Sequence, residues 1–117
     1  VGNNVTIGAL TTIHQFCQMG DYSFAGMNAS ITMDVPSYIK VASNPARVVG
    51  LNSVGMERGG IDHETITILK KAYKIIYRKG FNLKDAIEKV ESIEPSNVQE
   101  VRNFIDSIKS SERGILR

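Results

Sequence analysis

Two histidines and one cysteine are the side chains of this chain best suited to proton transfer, nucleophilic attack or metal binding. His14 could position or polarise a substrate, although the sequence alone favours an ordinary hydrogen-bonded histidine at a chain corner. A zinc site needs several His, Cys or carboxylate ligands close together, and His14 and His63 are the only histidines of the chain. We therefore predict no metal site. The single Cys17 excludes a disulfide framework and fits a reducing compartment.

Charge is distributed unevenly along the chain. Six basic residues and no acidic residue lie between Ile66 and Lys84, in a chain whose net charge is only +2. Lys70, Lys74 and Arg78 recur at every fourth position, so a helix would place them in one stripe. Such a stripe is either a solvated helix face or a docking surface for an acidic partner. The net charge by itself gives no indication of nucleic acid, and we predict no nucleic-acid partner.

A six-residue repeat occupies residues 1–36 without a gap, as VGNNVT, IGALTT, IHQFCQ, MGDYSF, AGMNAS and ITMDVP. The first position of each block is apolar, the second is glycine in four blocks, and the fifth is small or β-branched. This period predicts a β-solenoid with three blocks per coil and the first and fifth positions pointing inward. Cys17 occupies a fifth position, which predicts packing rather than catalysis. Two coils are few for a stable solenoid, so we expect further coils before Val1.

The remaining chain divides into two parts. Residues 37–60 are predicted to form an exit loop and an extended linker, and residues 61–117 a C-terminal helical domain. We predict helices at 62–79 and 83–92, the second ended by Pro95, and a third beginning at Ser96. Their apolar residues recur with helical spacing, which predicts one buried face on each helix. These faces consist of Ile66, Leu69, Tyr73 and Ile76; Leu83, Ala86, Ile87 and Val90; and Val98, Val101, Phe104, Ile105 and Ile108.

Several motifs in this order and spacing carry a family resemblance. They are IHQFC at 13–17, DVPSY at 34–38, NPARVVG at 44–50, GLN at 50–52, AYKIIYR at 72–78 and RGILR at 113–117. The repeat followed by helices is similar to the hexapeptide-repeat acyltransferases. The ordered set resembles one family within them, the UDP-N-acetylglucosamine O-acyltransferases of lipid A synthesis.

The resemblance implies a left-handed parallel β-helix followed by a three-helix C-terminal domain, in a cytoplasmic homotrimer with active sites between subunits. It implies transfer of a 3-hydroxyacyl chain from acyl carrier protein, with its phosphopantetheine as donor, to the glucosamine 3-hydroxyl of UDP-N-acetylglucosamine. No other cofactor and no integral membrane segment are expected. The family's general-base histidine would lie before Val1, so no catalytic residue is assigned within this chain.

The resemblance also implies roles for individual residues. His14, Gln15, Asn52 and Arg58 match substrate-binding positions, with His14 positioning the substrate. Other matches are Gly26 and Met27 at the end of the acyl-chain groove, and Lys70, Lys74 and Arg78 at the surface that docks the carrier protein. The sequence departs from the family in one loop, where Glu57-Arg58-Gly59 replaces a basic run and Val54 replaces a frequent acidic residue.

Two alternatives remain open from the sequence. The chain could belong to a non-catalytic trimeric solenoid that serves as a structural or binding module. It could instead belong to the related N-acyltransferase of the same pathway, although the HQF block at 14–16 and the RGILR ending disfavour that enzyme.

Overall fold

The six-residue repeat forms short parallel strands stacked in coils. The computed structural model describes residues 1–93 and 98–117. The first strands are β1 (Thr6–Ile7), β2 (Thr12–Ile13), β3 (Phe24–Ala25) and β4 (Ser30–Ile31). β1 pairs in parallel with β3, and β2 pairs in parallel with β4. In both pairs, each residue is the register partner of the equivalent residue three blocks later in the sequence. A parallel bridge between Met19 and Val35 forms the third side. The predicted solenoid with three blocks per coil is therefore confirmed.

The first position of each block points into the solenoid, as predicted. Met19, Ala25 and Ile31 of the second coil are at most 2% exposed, because neighbouring coils and helices cover them. Val1 and Ile7 occupy the same position at the end of the described stack and are 78% and 44% exposed. Burial of these apolar side chains stabilises the second coil.

The corners of the coils lie at the fourth position of each of the first five blocks, where the residue adopts a positive φ. These residues are Asn4, Leu10, Phe16, Tyr22 and Asn28, with φ between 58° and 68°. Of the residue types at these corners, only asparagine is enriched in this left-handed region. The corners therefore follow from the ladder on either side of them and not from the preferences of the residues that form them.

The solenoid continues beyond residue 36, the predicted end of the coils. Strand β5 (Ile39–Ala42) pairs in parallel with β3, and β6 (Arg47–Leu51) returns antiparallel to β5 with a bulge at Lys40 and Val41. Phe24 pairs with Lys40, two residues sooner than three full blocks would give. The bridge between Met19 and Val35 already carries the same shift, so the six-residue register is lost near the end of the repeat while the hydrogen-bonded ladder persists. The repeat alone therefore placed the end of the coils too early.

The predicted linker also contains a short helix, α1 (Ser53–Arg58). Asn52 occupies its N-cap, and Met56 in its middle is fully buried. The expectation of an extended linker through residue 60 is wrong for Ser53–Arg58, which form this helix with Gly55 inside it. Packing of Met56 against the core stabilises a segment whose glycines suggest an irregular chain.

Three longer helices follow: α2 (His63–Tyr77), α3 (Leu83–Glu91) and α4 (Gln99–Lys109). The described residues thus contain four helices, one more than predicted. Asp62 caps α2 by accepting a hydrogen bond from the Thr65 amide at 2.7 Å. The predicted apolar faces are all buried or half-buried. The predicted stop at Pro95 and start at Ser96 lie outside the described residues, and no helix in the described ranges is long and apolar enough to cross a membrane.

The C-terminal segment holds the helices against the coils. Its Ile115 forms a parallel bridge with the buried Asp34. The Asp34 carboxylate accepts hydrogen bonds from the Gln18 amide at 2.8 Å and from the Ser111 hydroxyl at 2.6 Å. Tyr77 of α2 donates its hydroxyl to the Leu116 carbonyl at 3.0 Å, and burial raises the pKa of that hydroxyl. The last residues therefore connect the second coil to α2.

Candidate functional site

A cavity of about 560 Å³ lies between α1 and the outer face of the β1–β3–β5 ladder. We call it the α1 cavity. Thr6, Phe24 and Lys40 are register partners on successive strands and form its ladder side. Its lining consists of Asn4, Val5, Thr6, Tyr22, Phe24, Lys40, Asn52, Val54, Gly55, Arg58 and Gly59. Both predicted substrate-binding residues of the linker, Asn52 and Arg58, are thus brought to one place.

Asn52 attaches α1 to the coils. Its side-chain amide donates to the Tyr22 carbonyl at 2.8 Å, and its side-chain oxygen accepts from the Gly55 amide at 3.2 Å. Its backbone amide donates to the Tyr38 carbonyl at 2.8 Å. Only 7% of Asn52 is exposed. Asn52 therefore positions the helix that carries Arg58, while its predicted contact with substrate stays a prediction.

Two cations line the α1 cavity. Arg58 is exposed in the last turn of α1, and the ammonium of the half-buried Lys40 lies 5.2 Å from the ring centroid of Phe24. No acidic side chain is among the described residues that line the cavity, and neither cation forms an ion pair within residues 1–93 and 98–117. The cavity is therefore positively charged. Sequence reasoning missed Lys40, because only the strand register shows that it stands beside Phe24.

Gly26 and Met27 follow β3 on the ladder that forms the wall of the α1 cavity. The Gly26 carbonyl accepts a hydrogen bond from Thr11 at 3.1 Å, and a Cβ added to Gly26 would lie 3.3 Å from the Cβ of Ala42. Met27 is 66% exposed. Because strand residues two apart share a face, Gly26 lies on the outer face together with Phe24. Of the two residues predicted at the end of the acyl groove, Gly26 therefore lies on the same face as the cavity, although neither Gly26 nor Met27 lines the cavity itself.

His14 and Gln15 stand at the end of β2, in the other ladder. The side chains of both are exposed, and the His14 amide donates to the Ile31 carbonyl at 2.8 Å. Neither residue lines the α1 cavity. In one copy of the chain, the predicted substrate-binding residues therefore form two separate groups. Within the described residues, no three His, Cys, Asp or Glu side chains are grouped as metal ligands would be.

Arg113 forms a hydrogen bond with the backbone of Gln15. Its guanidinium donates to the Gln15 carbonyl at 2.9 Å and lines a neighbouring cavity of about 570 Å³. The nearby Cys17 is half-buried, and burial raises the pKa of its thiol although the charge of Arg113 acts the other way. A raised pKa disfavours the reactive thiolate, in keeping with a packing role. The RGILR ending is recognisable as a motif in the sequence, but the sequence does not predict the hydrogen bond between Arg113 and the Gln15 carbonyl.

The basic stripe of α2 faces solvent. Lys70, Lys74 and Arg78 are exposed, and the Arg78 guanidinium lies 5.9 Å from the ring centroid of Tyr73. Among the residues that the structure describes, none of the three forms an ion pair. The stripe therefore presents an unneutralised positive surface, on a different element from the two groups of predicted substrate-binding residues.

Parallel ladders of six-residue repeats, continued by a hairpin and packed helices, define a hexapeptide-repeat solenoid protein with a helical C-terminal part. Comparison with known proteins narrows the class. A family model described as the second domain of UDP N-acetylglucosamine O-acyltransferase matches residues 34–116. The chain therefore belongs to the UDP-N-acetylglucosamine O-acyltransferase family.

Individual relatives agree with this assignment. The acyl-(acyl-carrier-protein)–UDP-N-acetylglucosamine O-acyltransferase of Ectopseudomonas mendocina is 44% identical over 95% of this chain and 43% of its own length. The structure of the O-acyltransferase from Moraxella catarrhalis superposes with a TM-score of 0.94 at 37% identity, over all of this chain and 45% of that one. The structure of the Arabidopsis acyltransferase superposes with a TM-score of 0.91 at 28% identity, over 97% of this chain and 43% of that one. The chain thus spans less than half the length of these relatives.

Proposed function

We propose that this chain is part of an enzyme that transfers a 3-hydroxyacyl group from acyl carrier protein to the 3-hydroxyl of UDP-N-acetylglucosamine, the first step of lipid A synthesis. The match of nearly the whole chain to enzymes named for this reaction carries the proposal. The α1 cavity adds support, because its two cations suit an anionic substrate. The reaction would take place in the cytoplasm, and the carrier protein's phosphopantetheine would hold the acyl group as a thioester.

The complete enzyme is proposed to be a homotrimer of left-handed β-helices, each ending in a helical domain. The separation of the predicted site residues supports this assembly. One copy presents Asn52 and Arg58 at the α1 cavity and His14 and Gln15 on another ladder. Neighbouring copies related by a rotation can place one group opposite the other, so that each cleft between subunits receives both.

The chemistry needs a base and an oxyanion site. A histidine outside this chain is proposed to take the proton of the sugar hydroxyl as its oxygen attacks the thioester carbonyl. A carbon–oxygen bond then forms, the carbon–sulfur bond breaks, and the proton passes to the departing phosphopantetheine thiolate. His14 and Gln15 would orient the sugar nucleotide, with Arg113 holding the Gln15 backbone. A backbone amide would stabilise the oxyanion.

Purified complete protein, incubated with 3-hydroxyacyl carrier protein and UDP-N-acetylglucosamine, should form the 3-O-acylated sugar nucleotide. Mass spectrometry with fragmentation distinguishes O-acylation from acylation on nitrogen. A trimer that binds neither substrate and forms no product would establish the non-catalytic alternative and refute the proposed reaction.

The stripe on α2 is proposed to dock the acidic carrier protein. Reversing its charge with Lys70→Glu, Lys74→Glu and Arg78→Glu should raise the KM for acyl carrier protein about tenfold at low salt, and added salt should reduce the difference. The KM for UDP-N-acetylglucosamine should change little. A matched control reverses the other three lysines of the run, Lys71, Lys79 and Lys84. Equal effects from the two triple variants, or on the two substrates, would identify the stripe as a solvated face.

A further inference from the structure

Lys40 and Arg58 face one space from different elements. Lys40 comes from β5 and Arg58 from the last turn of α1, and both line the α1 cavity. The cavity is lined by no acidic side chain among the described residues, and both cations lack an ion-pair partner in that part of the chain. Like charges around one cavity repel each other, and an anion bound there relieves the repulsion. The arrangement therefore favours a ligand with more than one negative charge.

The surroundings of Lys40 hold it toward the cavity. Its register partner Phe24 comes from the neighbouring strand, and the ammonium lies 5.2 Å from that ring. Contact between a cation and an aromatic face is attractive and keeps the flexible lysine chain on the ladder. Because the side chain is already half-buried, ordering it around a ligand costs less conformational entropy than ordering a free surface lysine.

We propose that Lys40 acts with Arg58 to bind the diphosphate of the sugar-nucleotide substrate. This assignment rests on the proposed function, which supplies a substrate with two linked phosphates. The planar guanidinium of Arg58 can bind phosphate oxygens in pairs, and the ammonium of Lys40 adds a compact charge from the opposite wall. Asn4 and Thr6, which also line the cavity, offer neutral hydrogen-bonding groups beside them.

The test uses Lys40→Met in the complete protein, a change that removes the charge and keeps an apolar chain over Phe24. The KM for UDP-N-acetylglucosamine should rise about five- to twentyfold, with little change in kcat or in the KM for acyl carrier protein. Inhibition by UDP should weaken by a similar factor, whereas inhibition by uridine, which carries no phosphate, should stay the same. Lys40→Arg should restore most of the affinity. Lys79→Met, which removes an exposed lysine charge elsewhere, should behave like the unmodified protein.

Two results would overturn the assignment: equal affinity of Lys40→Met and unmodified protein for UDP, or a defect confined to the carrier protein. The first would mean that Lys40 only packs on Phe24. Should the unmodified protein fail to transfer the acyl group, the proposed reaction is refuted, and calorimetric titration of both proteins with UDP still decides the role of Lys40. Weaker binding of UDP by Lys40→Met would then support the diphosphate assignment independently of turnover.

Discussion

Gly20→Ala should lower the free energy of unfolding of the complete protein by about 3 kcal/mol or more, through steric conflict between coils. Gly20 occupies the second position of its block, directly against the next turn of chain. A Cβ added there would lie 2.6 Å from the Ser37 hydroxyl oxygen and 2.7 Å from the Ser37 Cα. Backbone atoms in a hydrogen-bonded ladder cannot move aside without breaking neighbouring bonds, and the Gly20 amide itself donates to the Val35 carbonyl at 2.9 Å.

A series of glycine substitutions provides the controls. A Cβ on Gly26 would make one tight contact, 3.3 Å to the Ala42 Cβ, and its other neighbours would lie at ordinary contact distance, so Gly26→Ala should cost about 1 kcal/mol or less. Gly50 in β6 has no heavy atom within 4 Å of an added Cβ, and Gly50→Ala should be neutral. Urea denaturation at one protein concentration measures the free energy of unfolding of each variant. If Gly20→Ala does not fold, its destabilisation is at least as large as expected, and Gly26→Ala and Gly50→Ala still test the rest of the series. The loss of unfolding free energy should be largest for Gly20→Ala, smaller for Gly26→Ala and smallest for Gly50→Ala. Any other order would contradict the coil spacing described above.

Met27→Gly should shift the acyl-chain preference of the complete enzyme from medium hydroxyacyl chains toward a fourteen-carbon chain. The expectation rests on the proposed reaction. Met27 follows Gly26 after the end of β3, and its exposure in one copy leaves its side chain available to a bound acyl tail or a neighbouring subunit. Each methylene that the groove cannot accept costs about 1–3 kcal/mol of transition-state binding, so a few methylenes amount to a factor of at least about a hundred.

Competition between ten-carbon and fourteen-carbon hydroxyacyl carrier proteins measures the ratio of their kcat/KM values. The unmodified enzyme should favour the shorter chain, and Met27→Gly should reverse or abolish that preference while keeping activity. Met33→Ala serves as control, because Met33 is also partly exposed but lies close to Gly114 of the C-terminal segment. An unchanged ratio in Met27→Gly would assign Met27 to packing and place the end of the groove elsewhere.

The coil period and the helices could be predicted from the sequence because their signals are local and repeated. Apolar first positions such as Met19, Ala25 and Ile31 are each buried in the same way, so one rule describes the whole repeat. The helices likewise follow from spacing and caps within one segment, as at Asp62, whose side chain caps the start of α2, and at Gly80, whose positive φ of 74° comes two residues after the C-cap Arg78. Each segment could therefore be assigned as coil or helix without knowledge of its tertiary contacts.

The site depends on contacts between distant segments, which no local pattern records. Helix α1 exists because Asn52 bonds to Tyr22 and Met56 is buried, and these partners lie far apart in sequence. The pairing of Phe24 with Lys40 breaks the repeat by two residues, and only that shifted register places the lysine in the α1 cavity. The sequence by itself determined the coils, the helices and their buried faces. The tertiary structure alone decided where the solenoid ends, which cations meet and which predicted residues stay apart, because register and long-range packing select among conformations that local preferences leave nearly equal.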